Sequence, residues 1–183
     1  MKSDKIDISY TKAAEAIKVA ILNAQYEAAK GVNNIQLMLY YAIGRFISQN
    51  TRKQKWGTNA VATISHLLKQ DMPGLRGYSE SNIKRMRTFY EEWCELDYSP
   101  IQTGELQHII SPIQTGEIQI LPFNFPTIDA FPANDFRSIG FTHHSEILAK
   151  CKTREERIFY ISTCAREHLT PDGIKNCIAQ KLF

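Results

Sequence analysis

Basic residues are concentrated between Arg45 and Tyr90, where nine of them stand against two acids, Asp71 and Glu80. The nine are Arg45, Arg52, Lys53, Lys55, Lys69, Arg76, Lys84, Arg85 and Arg87. Neutralisation of phosphates supplies most of the nonspecific affinity for nucleic acid, so this local excess matters more than the whole-chain net charge of +3. The chemistry that it predicts is the binding of a phosphate polymer.

A helix predicted from Ser79 to about Trp93 places some of these basic residues together on one helix face. By helical spacing, its inward face is predicted to consist of Ile83, Met86, Tyr90 and Trp93. The opposite face then consists of Ser81, Lys84, Arg85 and Thr88. A capped helix that follows another helix and a glycine-containing turn is typical of recognition helices in the DNA major groove. The predicted binding residues are Ser81, Asn82, Lys84 and Arg85 for bases or phosphates, and Arg76, Arg87, Lys53 and Lys55 for the backbone.

Signatures of catalysis are missing from the sequence. It has no GxxxxGK(S/T) phosphate loop, no GxSxG and no HExxH. Adjacent His143 and His144 project about 100° apart on a helix, so each is predicted to serve the core or the surface. We predict no catalytic residues and no cofactor.

The four cysteines form no CxxC pair of the kind that structural metal centres use. They are Cys94, Cys151, Cys164 and Cys177. With no apolar signal segment at the start and no run of about 18 apolar residues, the sequence indicates a reducing compartment and no membrane partner. We predict buried thiols, no metal site and a cytoplasmic protein.

Helical periodicity precedes the basic helix. One helix is predicted from Thr11 to Gly31, and a second, packed antiparallel to it, begins at Asn33 or Asn34. The second is predicted to bury Leu39, Ile43, Phe46 and Ile47. Gly44 in its middle is predicted to permit close approach of another backbone.

Capping residues predict where the remaining helices begin. Thr58 is predicted to cap a helix that ends before Pro73, and Ser79 caps the basic helix. Nearer the carboxyl end the predicted caps are Thr142, Thr153 with Glu156 completing a capping box, and Thr170 followed by Pro171. The last helix is predicted to run through Leu182.

Residues 97–136 differ in composition, with five acids and no lysine or arginine. A nine-residue motif begins at Ser99 and again at Ser111, and five prolines punctuate the stretch. Two copies are too few for a solenoid, and the composition favours a duplicated surface loop over a dedicated binding arm.

From the helices and this segment together we predict an all-α fold with two small helical lobes, residues 11–95 and 141–183. The first lobe is helix-turn-helix-like, and residues 96–140 form an acidic, proline-rich insert compatible with a short β-hairpin.

Short motifs in this order resemble the N-terminal domain of the YhcG-type nuclease family. They are the runs 39–45 (LYYAIGR), 56–57 (WG), 72–79 (MPGLRGYS), 82–83 (NI), 85–90 (RMRTFY), 141–144 (FTHH) and 156–160 (ERIFY). Members are similar in having a helical, helix-turn-helix-like domain followed by a nuclease domain of the PD-(D/E)xK class. The resemblance implies that this chain stops before the nuclease domain, whose metal-binding carboxylates and lysine it lacks.

Two functions are compatible with these patterns. The first is non-catalytic binding of nucleic acid, expected to be duplex DNA, within a nuclease-associated protein. The alternative is a protein–protein assembly domain, a homo-oligomer or a partner of a nuclease domain, that positions a nuclease or restriction-type complex. Its contact surface is predicted to use exposed aromatic side chains, namely Tyr40, Tyr41, Phe89 and Trp93.

Overall fold

The computed structural model of the chain describes residues 29–52, 59–95 and 131–183. These ranges contain seven α-helices and no β-strand, which confirms the all-α fold class. Helix α1 covers residues 29–52. The others are α2 (Ala60–Asp71), α3 (Glu80–Trp93), α4 (Ala133–Ser138), α5 (Phe141–Lys150), α6 (Arg154–Arg166) and α7 (Pro171–Ala179). The repeat and the predicted hairpin lie outside the described residues, as does most of the predicted first helix.

Helix α1 passes through Gly31 without interruption, so the predicted break there is wrong. A glycine inside a helix costs only about 0.5–1 kcal/mol relative to alanine. The residues that follow make contacts that offset this cost: Asn33 donates through Nδ2 to the Ser138 carbonyl at 2.7 Å, and Leu37 is fully buried. Asn33 is therefore an interior residue of a longer helix and not the cap of a new one.

Three of the predicted caps are confirmed by side-chain hydrogen bonds. Ser79 Oγ accepts from the Asn82 amide at 3.3 Å, Thr153 Oγ1 from Glu156 at 3.2 Å, and Thr170 Oγ1 from Gly173 at 3.1 Å. The return bond of the predicted capping box differs, because Glu156 Oε2 accepts from the Lys152 amide at 2.8 Å. Local sequence thus fixed where α3, α6 and α7 begin.

Two other predicted caps are wrong, and one helix is shorter than predicted. Helix α2 begins after Asn59, which makes no side-chain cap bond, and not after Thr58. Helix α5 begins after Gly140, whose carbonyl accepts from the His143 amide at 3.0 Å, and Thr142 lies inside its first turn. Helix α7 ends at Ala179, before Leu182, because Lys181 adopts a positive φ of 55°.

One large buried cluster joins residues from both predicted lobes. It includes Leu37 on α1, Met86 on α3, Phe136 on α4, Ile147 on α5 and Tyr160 on α6. A smaller cluster of Ile47, Val61 and Ile83 lies between α1, α2 and α3. The lobe boundaries stay a prediction, but the described parts of the two lobes share one core.

Gly44 lies where the backbone of α1 approaches the backbone of α3 closely. A Cβ atom on this residue would overlap the Met86 carbonyl oxygen and lie 2.7 Å from its carbonyl carbon. The predicted role of Gly44, close approach of another backbone, is confirmed. This contact fixes how deeply α3 sits against α1.

The aromatic residues predicted as an exposed assembly surface are buried, so that prediction is wrong. Tyr40 and Tyr41 are each 7% exposed, and Phe89 and Trp93 are fully buried. Tyr41 packs edge-on against Phe89 with ring centroids 6.1 Å apart, because the close approach of α1 and α3 brings their aromatic faces together. These rings hold the helices to one another and are not available to a partner.

His144 is a core residue, in agreement with the sequence prediction. It is 1% exposed, and its Nε2 donates to the Phe136 carbonyl oxygen at 2.9 Å. Burial lowers the pKa of this ring to about 3, with the nearby His143 lowering it further, so the ring is neutral in the folded protein. His143 contacts the Leu169 carbonyl through Nε2 at 2.9 Å.

We expect this buried neutral ring to make folding sensitive to acid. In the unfolded chain its pKa is about 6.5, so the unfolded state takes up a proton that the folded state does not. The stability gained is complete above about pH 6.5 and falls as pH drops toward 3, by about 2 kcal/mol between pH 7 and pH 5. Urea unfolding at several pH values should show a smaller loss for His144→Gln, which keeps a donor but does not titrate. Equal losses in both proteins would contradict this prediction.

Candidate nucleic-acid interface

The basic helix α3 has the two faces that the sequence predicted. Ile83, Met86, Phe89 and Trp93 are buried, and Tyr90 is half-buried. The exposed outer face carries Ser81, Lys84, Arg85 and Thr88. Because Ser79 caps the helix, these side chains project from its first turns on a fixed backbone.

Lys84 and Arg85 are held loosely on this face. Lys84 Nζ lies 2.6 Å from Glu80 Oε1, but both side chains are about half exposed, and such surface pairs contribute only about 0–1 kcal/mol. Arg85 Nη1 donates to Asn82 Oδ1 at 3.4 Å, and within the described ranges it pairs with no carboxylate. An incoming phosphate can therefore contact Arg85 directly and displace Glu80 from Lys84 at little cost.

Arg87 and Arg52 are engaged in an internal network instead. Arg52 makes two hydrogen bonds of 2.9 Å to the two carboxylate oxygens of Glu91, and Ser48 Oγ donates to the same group at 2.7 Å. Arg87 is 22% exposed, with Nε 4.0 Å from Glu91 and Nη1 donating to Thr51 Oγ1 at 3.4 Å. The hydrogen bonds from Arg52 above all lower the pKa of Glu91. These contacts tie α1 to α3 and withdraw Arg87 from the predicted binding surface, whereas the Arg52 side chain stays 64% exposed.

The remaining predicted basic residues are distributed around this helix. Arg76 is exposed in the connection that leads to α3, and Lys69 is exposed in the last turn of α2. Neither forms an ion pair in the part of the chain that the structure describes, nor does Arg45. Lys53 and Lys55 lie outside the described residues. The structure thus places Ser81, Asn82, Lys84 and Arg85 together, with Arg76 three residues before the Ser79 cap.

The connection between α2 and α3 spans residues 72–79 and turns as predicted at two glycines. Gly74 and Gly77 both have a φ of +91°, a conformation that favours glycine. Helix-turn-helix units usually connect their helices by three or four residues, so this connection is longer. Helix-turn-helix docking on DNA stays a prediction.

A polar cleft beside the start of α3 was not predicted from the sequence. It has a volume of about 240 Å³ and lies between α1, α3 and the first turn of α5. Its polar lining residues are Gln36, Tyr40, Asn82, Arg85, Thr142 and Ser145. No local signal marks this cleft, because its walls come from three separate parts of the chain.

An apolar groove of about 450 Å³ lies between α1, α2 and α3. Leu39, Ile43 and Phe46, which were predicted to be buried, are only half-buried because they line this groove. Val32 and Ile35 precede them on the same face of α1 and are 65% and 67% exposed. These five residues, Val32, Ile35, Leu39, Ile43 and Phe46, form an apolar stripe on α1 that is partly exposed to solvent.

The described residues contain little of what a catalytic metal centre needs. Across residues 29–52, 59–95 and 131–183, no three His, Cys, Asp or Glu side chains are placed to hold a metal ion together. Cys151 and Cys164 are buried as predicted, and burial raises their pKa to about 11 and about 12. Cys94 and Cys177 are only partly buried, so the prediction of buried thiols is wrong for these two. Among the same residues, no helix has the length and apolar character needed to span a bilayer.

Fold and site together define an all-helical domain with an exposed basic helix. Residues 16–183 match the family described as the DUF1016 N-terminal domain, the N-terminal part of YhcG-like proteins. The chain belongs to this family, which confirms the resemblance seen in its motifs. No family of catalytic domains matches the chain. Comparisons with curated proteins and with solved structures each gave no match.

Proposed function

We propose that this domain binds nucleic acid, expected to be duplex DNA, without catalysing a reaction, and serves a nuclease-associated protein. The observation that carries the proposal is the outer face of α3. There Lys84 and Arg85 project from the first two turns of a capped helix, and neither is held by a buried carboxylate. A duplex phosphate or base edge can reach both.

Lys84 and Arg85 lie near the amino end of α3, where the helix dipole adds to the positive potential of their side chains. The amino end of a helix carries a partial positive charge and favours nearby phosphate. Ser81 and Asn82 supply neutral hydrogen-bonding groups on the same turn, of the type that contact phosphate oxygens and base edges. Arg76 extends the positive surface along the connection before α3. Arg87 and Arg52 support the interface indirectly, because their network with Glu91 fixes α3 on α1.

The test is a duplex titration of Lys84→Ala/Arg85→Ala over a range of salt concentrations. We expect the double variant to bind at least about 30-fold more weakly, since two good contacts of about 1–3 kcal/mol each contribute at least about 2 kcal/mol together. If about four to six phosphates are contacted, the slope of log affinity against log salt should be about −4 to −5 for the unchanged protein, and shallower by about 1–2 in the variant. Parallel titrations with duplex RNA decide which polymer is preferred.

A matched control removes the same two residue types elsewhere. Lys152→Ala/Arg166→Ala takes away one exposed lysine and one exposed arginine near α6, and Arg166 forms a surface pair with Glu167 as Lys84 does with Glu80. This control should keep most of the affinity. Equal losses in the two double variants would assign the binding to overall charge and not to α3.

Assembly is the second candidate, and the stripe on α1 is the observation that favours it. Val32, Ile35, Leu39, Ile43 and Phe46 follow three- and four-residue spacing on one face, exposed at one end and lining the apolar groove at the other. In an antiparallel pair the exposed end of one copy meets the groove of a second copy, as a two-fold interface requires. Sedimentation of the same samples separates the candidates. A salt-insensitive dimer with no duplex binding supports assembly, whereas a salt-sensitive complex with duplex supports the first proposal.

A further inference from the structure

The polar cleft between α1, α3 and α5 has the composition of an anion site. Among the described residues, Arg85 is the one charged residue in its lining, and none of those lining residues carries a carboxylate. The other polar groups are the hydroxyls of Thr142 and Ser145 and the side chains of Gln36, Tyr40 and Asn82. A cavity of about 240 Å³ is smaller than most sites for drug-sized ligands, but it has room for a single tetrahedral group.

Tyr40 supplies a buried donor at this cleft. The residue is only 7% exposed, and its hydroxyl oxygen already accepts from Gln36 Nε2 at 3.2 Å. The Tyr40 O–H itself has no acceptor among the described residues. Burial, with neighbouring Tyr78, raises the pKa of Tyr40, so the group remains a proton donor at neutral pH. Because this hydroxyl lines an open cleft, its proton can be donated to water or to an anion that displaces the water.

The walls around Tyr40 hold further donors in place. Asn82 Oδ1 accepts from Arg85 Nη1 at 3.4 Å, which orients the guanidinium beside the cleft. Helix α5 begins after Gly140 with no side-chain cap, and the amides of Phe141 and Thr142 find no acceptor among the described residues. Gly77 faces the hydroxyl: a Cβ there would lie 3.1 Å from the Tyr40 oxygen. The cleft thus combines one cation, one buried hydroxyl and an uncapped helix start.

We propose that this cleft binds one phosphate group of a nucleic-acid backbone, with Tyr40 and Arg85 as its donors and the first turn of α5 as its third wall. This proposal rests on the proposed function and deepens it, because Arg85 belongs both to the cleft and to the outer face of α3. The strand that places one phosphate in the cleft places a neighbouring phosphate against Lys84. Tyr40 sets the position of that strand, since its hydroxyl is fixed by the core and by Gln36.

The first experiment compares Tyr40→Phe with Tyr160→Phe in the duplex titration. Both changes remove one hydroxyl from a buried ring, but Tyr160 lies outside the cleft. We expect Tyr40→Phe to weaken duplex binding about tenfold, as loss of a hydrogen bond to a charged group does, and Tyr160→Phe to leave it unchanged. The salt slope should stay the same in Tyr40→Phe because the lost group is neutral, and become shallower by about one in Arg85→Ala.

The second experiment titrates inorganic phosphate against the labelled domain and follows the backbone amide signals of Asn82, Thr142 and Ser145 by NMR. Saturable shifts of these signals support a phosphate site if both Tyr40→Phe and Arg85→Ala weaken them. If the same shifts occur but the domain does not bind duplex, the cleft is a site for free phosphate, and the proposal of a backbone phosphate is overturned. Duplex binding that depends on Lys84 and Arg85 but not on Tyr40 overturns the cleft and leaves the proposed function standing. Absence of both the shifts and the Tyr40 effect likewise overturns the cleft.

Discussion

Replacing Gly44 with alanine should destabilise the domain by about 3 kcal/mol or more, at the upper end of the effects of overpacking. The added methyl would overlap the Met86 carbonyl oxygen and lie 2.7 Å from the carbonyl carbon. Helix backbone cannot yield as a flexible side chain can, so α3 must move away from α1. Urea unfolding, followed by circular dichroism, measures the difference in the free energy of unfolding.

Gly31→Ala is the matched control, because Gly31 lies on the same helix and no atom lies within 4 Å of its would-be Cβ. There alanine should leave stability unchanged or raise it by up to about 1 kcal/mol, through its higher helix propensity. The free energies of unfolding of the two variants should therefore differ by about 3 kcal/mol or more. If Gly44→Ala were as stable as Gly31→Ala, the close contact of α1 with α3 would not exist. Duplex binding of Gly44→Ala should also weaken, since α3 would lose its fixed position.

Phe136→Ala should lower the free energy of unfolding by about 3–5 kcal/mol, the usual range for removing a buried aromatic side chain. Phe136 is fully buried and stacks on Phe89 with centroids 5.7 Å apart. It also packs edge-on against Trp93 at 5.3 Å and lies 4.4 Å from the His144 ring. Truncation leaves a cavity among three rigid rings, which cannot collapse to fill it.

Phe183→Ala is the control for this change, since Phe183 is 62% exposed and its ring contacts Phe159 with centroids 5.6 Å apart. This substitution should lower the free energy of unfolding by less than about 1 kcal/mol. Calorimetry of the two variants reports the difference as a larger drop in Tm for Phe136→Ala. Equal, small drops would mean that residues 131–140 do not belong to the core.

Much of the candidate site could be predicted because its signals are local. The cap at Ser79, the helical spacing from Ile83 to Trp93 and the charges at Lys84 and Arg85 lie within one short segment. A cap and a 3.6-residue period act through neighbouring residues, so they specify a helix and its two faces without knowledge of the rest of the chain. Gly44 was predictable for a related reason, because a glycine inside an amphipathic helix indicates a close neighbour.

The polar cleft and the network around Glu91 could not be predicted in this way. Tyr40 and Thr142 are distant in sequence and line one cleft only because α5 packs against α1, where the Tyr40 and Phe141 ring centroids lie 4.7 Å apart. Glu91 engages Arg52 and Arg87 together, so whether Arg87 is a surface cation depends on the position of α1. Charge counted along a chain does not report which charges are paired across helices.

The sequence by itself determined the all-α class, the family and the outer face of α3, since periodicity, caps and ordered motifs are properties of consecutive residues. Only the tertiary structure decided that Tyr40 and Phe89 are buried, that Phe136 belongs to the core and that α1 continues through Gly31. The physical reason is that burial is a property of two surfaces. An aromatic stripe is exposed or buried according to whether a distant helix lies against it, and no local pattern contains that partner.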